Sequence, residues 1–131
     1  MHNIDGLPDS HKDPYSVKLD TVCHAIQLHH ISVLLETKTN DMNRILQYLP
    51  GYVAYHTLVP DACIGLKGHG VAVIVDQSCK DCVSLHHLSE DTQTNCLQCS
   101  KHLFGTGVDV MLGACYVNPQ SEHFSANAIT D

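Results

Sequence analysis

The segment Ile31–Leu35 (ISVLL) is a short apolar run that leads directly into the carboxylate of Glu36. An apolar run of this length, bounded by polar residues, predicts a buried strand. An acid at the end of such a strand lies where the interior of a sheet opens to solvent, which is a common place for a metal or substrate site in layered α/β structures. Glu36 is therefore a candidate ligand, and the alternative is a solvated acid at a strand end.

Two segments have apolar residues at the i, i+3, i+4, i+7 spacing of an amphipathic helix. Asp13 followed by Pro14 predicts the start of the first helix, because proline is favoured at the first helical position after a capping side chain. Asn40 is predicted to cap the second helix, which Pro50 and Gly51 would end. The apolar faces comprise Leu19, Val22, Cys23 and Ile26 in the first helix and Met42, Ile45, Leu46 and Leu49 in the second.

The second half of the chain changes to the pattern of strands. Val71–Val75 (VAVIV) is a continuous, mostly β-branched run, which predicts a strand that is buried on both faces. Further strands are predicted over residues 52–56, 83–88, 95–100 and 108–117. Because helices come early and successive strands late, the sequence predicts one layered α/β (α+β) domain over residues 1–131.

The charge balance limits the classes of function. Seven Lys and Arg residues against fourteen Asp and Glu give a net charge of −7. This charge argues against a stand-alone DNA-binding module, although an enzyme can hold phosphate through a metal ion. No apolar run approaches the roughly 18 residues that a membrane span needs, and no secretory signal opens the chain. The expectation is an intracellular protein without a membrane partner, whose seven cysteines are reduced.

Five short motifs in order carry a resemblance to a known family: NIDGL at residues 3–7, LLETK at 34–38, LPGY at 49–52, GHGVAV at 68–73 and GACYVNP at 113–119. The chain resembles the endonuclease/exonuclease/phosphatase family, and specifically the apurinic-endonuclease-like domain of non-LTR (LINE-type) retrotransposons. The resemblance spans nearly the whole chain but only about the N-terminal half of that family's domain. It implies half of a four-layer α/β-β/α sandwich of the DNase-I-like type.

The resemblance also implies a function and a set of site residues. The family nicks DNA phosphodiester bonds with a divalent cation, Mg²⁺ or Mn²⁺, and Glu36 matches its metal-binding glutamate. Asn3 matches an asparagine that acts beside that glutamate, and Tyr116 matches a tyrosine that contacts the scissile phosphate. Asn118 is a further substrate-binding candidate, although the order Val-Asn-Pro departs from the family's commoner Val-Pro-Asn. The residues themselves leave an alternative open, in which Asn3 is a turn residue and Tyr116 an aromatic residue at a strand end.

The family's remaining site residues have no counterpart after Asn118. That family has an Asp-x-Asn pair and a late Ser-Asp-His run in the second half of its domain. The expectation is therefore a fragment that is inactive as a nuclease and prone to self-association through an incompletely covered sheet. In the intact parent polyprotein the implied partners are DNA and a reverse transcriptase domain, and the implied location is the nucleus.

Two C-x-x-C pairs favour a different class of function. Cys79 with Cys82, and Cys96 with Cys99, have a spacing typical of a structural zinc site, which would make the chain a small zinc-stabilised binding domain without catalysis. Against this, residues three apart on a strand point to opposite faces. We therefore expect that the four sulfurs do not converge on one point, and that the cysteines occupy core or half-buried strand positions.

Overall fold

A computed structural model describes residues 1–89, 92–105 and 107–116. The described chain is a mixed α+β structure with two sheets and few helices. Two short 3₁₀ helices, Asp61–Cys63 and Lys80–Cys82, lie between strands. The α-helices are α1 (Val17–Gln27), α2 (Asn43–Leu46) and α3 (Lys101–Phe104), and the strands are β1 (His2–Asn3), β2 (Ile31–Leu35), β3 (Val53–Thr57), β4 (Val71–Val75), β5 (Val83–Ser89), β6 (Thr94–Cys99) and β7 (Val110–Cys115).

The first sheet has the strand order β1-β2-β4-β3, and the second has the order β5-β6-β7. β1 runs parallel to β2, and every other neighbouring pair is antiparallel. In the central pair Ile31 lies opposite Val75, and Leu35 lies opposite Val71. One end of the sheet therefore brings together the residue before β2 and the residue after β4. The opposite end brings together the residue after β2 and the residue before β4.

β4 separates two hydrophobic cores. All five of its residues are buried. Ala72 and Ile74 belong to the core that includes residues of α1 and α2. Val71, Val73 and Val75 belong to the core shared with the second sheet. Since successive side chains on a strand point to opposite faces, one continuous apolar run can serve both cores. The sequence-based prediction of a strand buried on both faces is confirmed.

The helical segments bury the predicted apolar side chains, but their ends differ from the prediction. α2 ends at Leu46 and not at Pro50, because the N–H groups of Tyr48 and Leu49 donate to carbonyls three residues back instead of four. α1 begins three residues after Pro14, because the hydroxyl of Ser16, rather than the side chain of Asp13, accepts the backbone N–H of Leu19. α2 has no capping side chain. The predicted cap Asn40 instead hydrogen-bonds the backbone N–H and C=O of Val59. No helix in the described ranges is long and apolar enough to cross a membrane.

Candidate functional site

One end of the two sheets gathers the predicted residues Glu36 and Tyr116. Glu36 follows β2 and Gly70 precedes β4, and these strands pair so that both residues lie at the same end. Gln93 precedes β6 and Tyr116 follows β7, and the pairing of Thr94 with Cys115 places them together as well. The two sheets meet here, since the Gln93 side chain accepts the N–H of Gly70. We call this region the Glu36 end; it comprises Asn3, Glu36, Thr37, His56, Gly70, Gln93 and Tyr116.

A hydrogen bond joins the two predicted site residues. The Tyr116 hydroxyl donates to Oε1 of Glu36, across eighty positions of sequence. Glu36 is only 7% exposed. The Glu36 carboxylate and burial raise the pKa of Tyr116 to about 12, because loss of the phenolic proton would place a second negative charge beside the first. The second sheet therefore supplies a neutral donor to an acid that belongs to the first.

Glu36 has a backbone conformation that a non-glycine residue seldom adopts. Its φ is 59°, in the left-handed region, and Lys38 has the same value. Backbone hydrogen bonds hold this turn from both sides: Gly6 N–H donates to the Glu36 carbonyl at 2.6 Å, and Thr37 N–H donates to the Gly70 carbonyl at 3.1 Å. Such conformations cost energy and are concentrated at functional sites, so this geometry favours a functional role for the segment.

Gly70 allows the strand ends to approach closely. Its φ is +92°, and a Cβ atom there would lie 1.9 Å from Oγ1 of Thr37. Its N–H donates to Oε1 of the buried Gln93 at 2.6 Å. No local sequence pattern distinguishes Gln93, which lies in a polar turn between strands. Only the packing of the two sheets brings this amide to the end of β4.

His56 is a second residue of the Glu36 end that no sequence motif indicates. Its Nε2 atom lies 3.0 Å from Oγ1 of Thr37, and that hydroxyl donates to the carbonyl of Thr39. Burial lowers the pKa of His56 to about 4, because the charged imidazolium is poorly solvated there. His56 is therefore neutral at physiological pH. It can donate or accept one hydrogen bond through Nε2, according to its tautomer.

The structure places the asparagine candidates differently. The backbone of Asn3 pairs with Leu35, directly before Glu36. The side chain of Asn3 is exposed, and its Oδ1 accepts the N–H of Asp5 at 3.2 Å, which is the geometry of the turn residue considered as an alternative. Asn118 lies outside the described residues.

The Glu36 end offers a limited set of ligands to a hard cation. Mg²⁺ is usually held by one or two carboxylates together with waters and substrate phosphate oxygens. Glu36 can supply one such carboxylate. Within the described ranges, no group of three His, Cys, Asp or Glu ligand atoms includes it. The donor set therefore fits a cation that completes its coordination with phosphate and water, and it does not fit a closed all-protein site.

The four cysteines of the zinc interpretation do not form a ligand cluster in the described structure. Cys99 is fully buried in the core between the sheets, whereas Cys96, three residues earlier on β6, is partly exposed. The described residues include one group of three potential ligands, which contains Cys79 together with His30 and Asp76. This geometry agrees with the expectation that the four sulfurs do not converge.

No protein-family model matches this chain, and neither a curated protein nor a solved structure has significant similarity to it.

Proposed function

We propose that this chain carries the Glu36 portion of a divalent-metal-dependent, retrotransposon-type DNA endonuclease site. The observation that carries the proposal is the hydrogen bond between Tyr116 and Glu36. The sequence motifs nominated these two residues separately, one as a metal ligand and one as a phosphate contact. The structure brings them together from two different sheets. The left-handed backbone at Glu36 adds support, since strain of this kind is typical of functional sites.

Each residue of the pair has a chemical role in the proposed site. Glu36 would hold Mg²⁺ or Mn²⁺ through a carboxylate oxygen, and the cation would neutralise charge on the phosphodiester. Tyr116 donates its proton to Glu36 in the structure. With a phosphate beside it, the same hydroxyl would donate to a phosphate oxygen, since its raised pKa keeps it protonated. Asn3, whose backbone pairs with Leu35 beside Glu36, would act there through its side-chain amide, the Oδ1 of which accepts the N–H of Asp5 in the structure.

The layer order also supports the proposal at the level of fold. Helices cover one face of the first sheet, and the second sheet covers the other. We propose that these layers correspond to part of a DNase-I-like four-layer sandwich. In an intact parent protein the partners would be DNA and a reverse transcriptase domain, and the location would be the nucleus. The outer face of the second sheet, where Met111 is 48% exposed, would provide the surface for self-association.

The proposed activity of this chain alone is binding without efficient cleavage. Hydrolysis needs a group that takes a proton from the attacking water, and loss of a general base typically costs about 10²–10⁴-fold in rate. In the described part of the chain, no cluster of three titratable ligand groups includes Glu36. The neutral His56 belongs to the same end of the sheet, but its Nε2 contacts Thr37 instead of Glu36. We therefore expect weak metal binding and no robust nicking.

Water-proton relaxation with Mn²⁺ tests the proposal directly. Glu36→Gln is nearly isosteric and should weaken Mn²⁺ binding while the protein remains folded. Asp20→Asn, which removes an exposed carboxylate on α1, is the matched control and should bind Mn²⁺ like the native chain. Equal Mn²⁺ affinity in the native and Glu36→Gln proteins would contradict the assignment of Glu36.

A plasmid-nicking assay with Mg²⁺ tests the expected lack of cleavage. The native chain and Glu36→Ala should both leave the plasmid supercoiled. Robust nicking by the native chain that Glu36→Ala abolishes would support the endonuclease site, but it would overturn the expectation that the described residues lack an effective base.

A further inference from the structure

The end of the first sheet opposite Glu36 holds a separate cluster of three metal-ligating side chains. One ligand atom each from His30, Asp76 and Cys79 lies within 4.8 Å of the other two. Cys79 is 6% exposed, whereas the side chain of His30 is 75% exposed. The cluster therefore has a buried sulfur on its inner side and an open side towards solvent. We propose that His30, Asp76 and Cys79 form a binding site for Zn²⁺.

The fold holds the three residues in place before any ion binds. His30 precedes β2 and Asp76 follows β4, next to the paired residues Ile31 and Val75. The backbone N–H of Asp76 donates to the His30 carbonyl at 2.9 Å, which extends the sheet ladder by one bond. Two of the ligands are thus anchored on neighbouring rungs of an antiparallel pair. Sites built on strands are more precise than sites built on flexible loops.

A turn after β4 brings in the third ligand. Oδ1 of Asp76 accepts the N–H of Ser78 at 2.9 Å, the hydroxyl of Ser78 at 2.6 Å and the N–H of Cys79 at 3.2 Å. These bonds occupy one carboxylate oxygen, and the other, Oδ2, hydrogen-bonds Nδ1 of His30 at 2.5 Å, a contact that a bound ion would replace. Bonds of this kind orient a metal-binding carboxylate, and their loss typically costs about 10–100-fold in metal affinity.

The donor set selects the metal. A neutral imidazole nitrogen, a thiolate and a carboxylate oxygen are the three ligand types that Zn²⁺ accepts, whereas Mg²⁺ avoids sulfur. Three protein ligands and one open position describe a zinc site that can bind water or an external ligand. Tetrahedral bonds of about 2.0 Å place nitrogen and oxygen ligands about 3.3 Å apart. To bind the same ion as Asp76, the exposed ring of His30 would therefore need to move away from Asp76 by less than about 1 Å.

This site is independent of the proposed endonuclease site. β2 separates the two, and the six residue steps from His30 to Glu36, at about 3.3 Å each, span roughly 20 Å. It also differs from a four-cysteine zinc site, since it uses Cys79 but neither Cys96 nor Cys99.

Co²⁺ is a spectroscopic probe for the proposed site, because a cobalt–thiolate bond gives a charge-transfer absorption band that nitrogen and oxygen ligands do not give. We expect the reduced native chain to bind one Co²⁺ with this band and to lose the band when Zn²⁺ is added. Cys79→Ser should abolish the band. His30→Ala removes a direct ligand. It should weaken Co²⁺ affinity by at least about tenfold, because loss of a group that only hydrogen-bonds a ligand already costs that much.

Matched controls separate this site from Co²⁺ binding at neighbouring histidines or at other thiols. His29→Ala and Cys115→Ser remove an exposed neighbour and an exposed thiol, and both proteins should keep the native band and affinity. Circular dichroism checks that each variant is folded; if Cys79→Ser unfolds, the exposed His30→Ala variant decides the outcome. Absence of a thiolate band in the native chain would overturn the proposal. Unchanged affinity in His30→Ala, or loss of the band in Cys96→Ser, would also overturn it.

Discussion

The two sheets are built from different kinds of sequence because they are covered differently. The first sheet is packed against helices on one face and against the second sheet on the other, and every residue of its central strand β4 is buried. The central strand β6 of the second sheet has a largely alternating burial pattern, with Asn95, Leu97 and Cys99 buried. A strand with two covered faces needs a continuous apolar run, whereas a strand with one covered face needs only every second residue. Because its central strand is buried on both faces, we expect substitutions in the first sheet to lower the free energy of unfolding most.

Polar contacts join the two sheets in addition to the shared core. The Asn95 side chain donates to the Tyr55 carbonyl at 2.6 Å, and the Tyr55 hydroxyl donates to the Val83 carbonyl at 3.2 Å. The Thr57 hydroxyl donates to the Thr94 carbonyl at 3.3 Å. The Glu36 end adds the contacts of Gln93 and Tyr116. Sequence periodicity alone does not indicate these contacts, because each one depends on how one sheet is placed over the other.

The largest expected effect is on the buried central strand. Ile74→Ala removes a fully buried side chain from the helix-side core and should lower the free energy of unfolding by about 2–5 kcal/mol. Met111→Ala, on the outer face of the second sheet, is the matched control. It should change the free energy of unfolding by no more than about 0.5 kcal/mol. Urea unfolding monitored by circular dichroism measures both values. Similar losses in the two variants would show that the sheets do not differ in burial as described.

Gly70→Ala tests the close approach at the Glu36 end. A Cβ atom there would clash with Thr37 and would force alanine into a φ of +92°, so we expect a loss of about 2–4 kcal/mol in the free energy of unfolding. Gly65→Ala is the control, since Gly65 also has a positive φ but open space around it, and it should show only the cost of backbone strain, about 1–2 kcal/mol. Equal losses would indicate that the space around Gly70 plays no part.

His56 should make stability depend on acid pH. Its folded pKa is about 4, below the ordinary value of 6.5, so the unfolded chain binds the proton more readily between these values. The stabilisation is therefore fully present above pH 6.5 and is lost as the pH falls through about 4. The difference corresponds to about 3 kcal/mol. His56→Gln should flatten this part of the stability–pH curve in thermal unfolding experiments. The exposed His86→Gln should not flatten it.

The smallest of these effects concerns the contact between Tyr116 and Glu36. Tyr116→Phe removes a hydrogen bond to a charged group and should cost about 1.5–3 kcal/mol of unfolding free energy. The pKa of Tyr116 is raised from 10 to about 12 in the folded state. The stabilisation that the protonated Tyr116 hydroxyl contributes is therefore fully present below pH 10 and is lost as the pH rises through about 12. Glu36→Gln should lower the pKa of Tyr116, which is measured by phenolate absorbance. An unchanged titration in Glu36→Gln would argue against the contact.

The sequence was most informative where one residue pattern has one physical solution. The run Val71–Val75 predicted its strand to the residue, and the helical spacing of Leu19 and Ile26 predicted the buried face of α1. Helix starts were less predictable, because Asp13 and Ser16 are both good capping residues and only the geometry of the chain selects Ser16. Asp76 follows an apolar strand as Glu36 does, and that shared signal could have identified the second cluster.

The sequence by itself determined which strands are buried, which helix faces are apolar, and that an acid follows β2. Its family resemblance also nominated Glu36 and Tyr116 separately, although eighty positions of sequence lie between them. The tertiary structure alone decided that they touch, that Gln93 meets Gly70, and that His30 lies beside Asp76 and Cys79. The physical reason is that burial is encoded locally, through the spacing of apolar side chains. Contacts between distant residues instead depend on strand register and sheet packing, which the whole chain sets together.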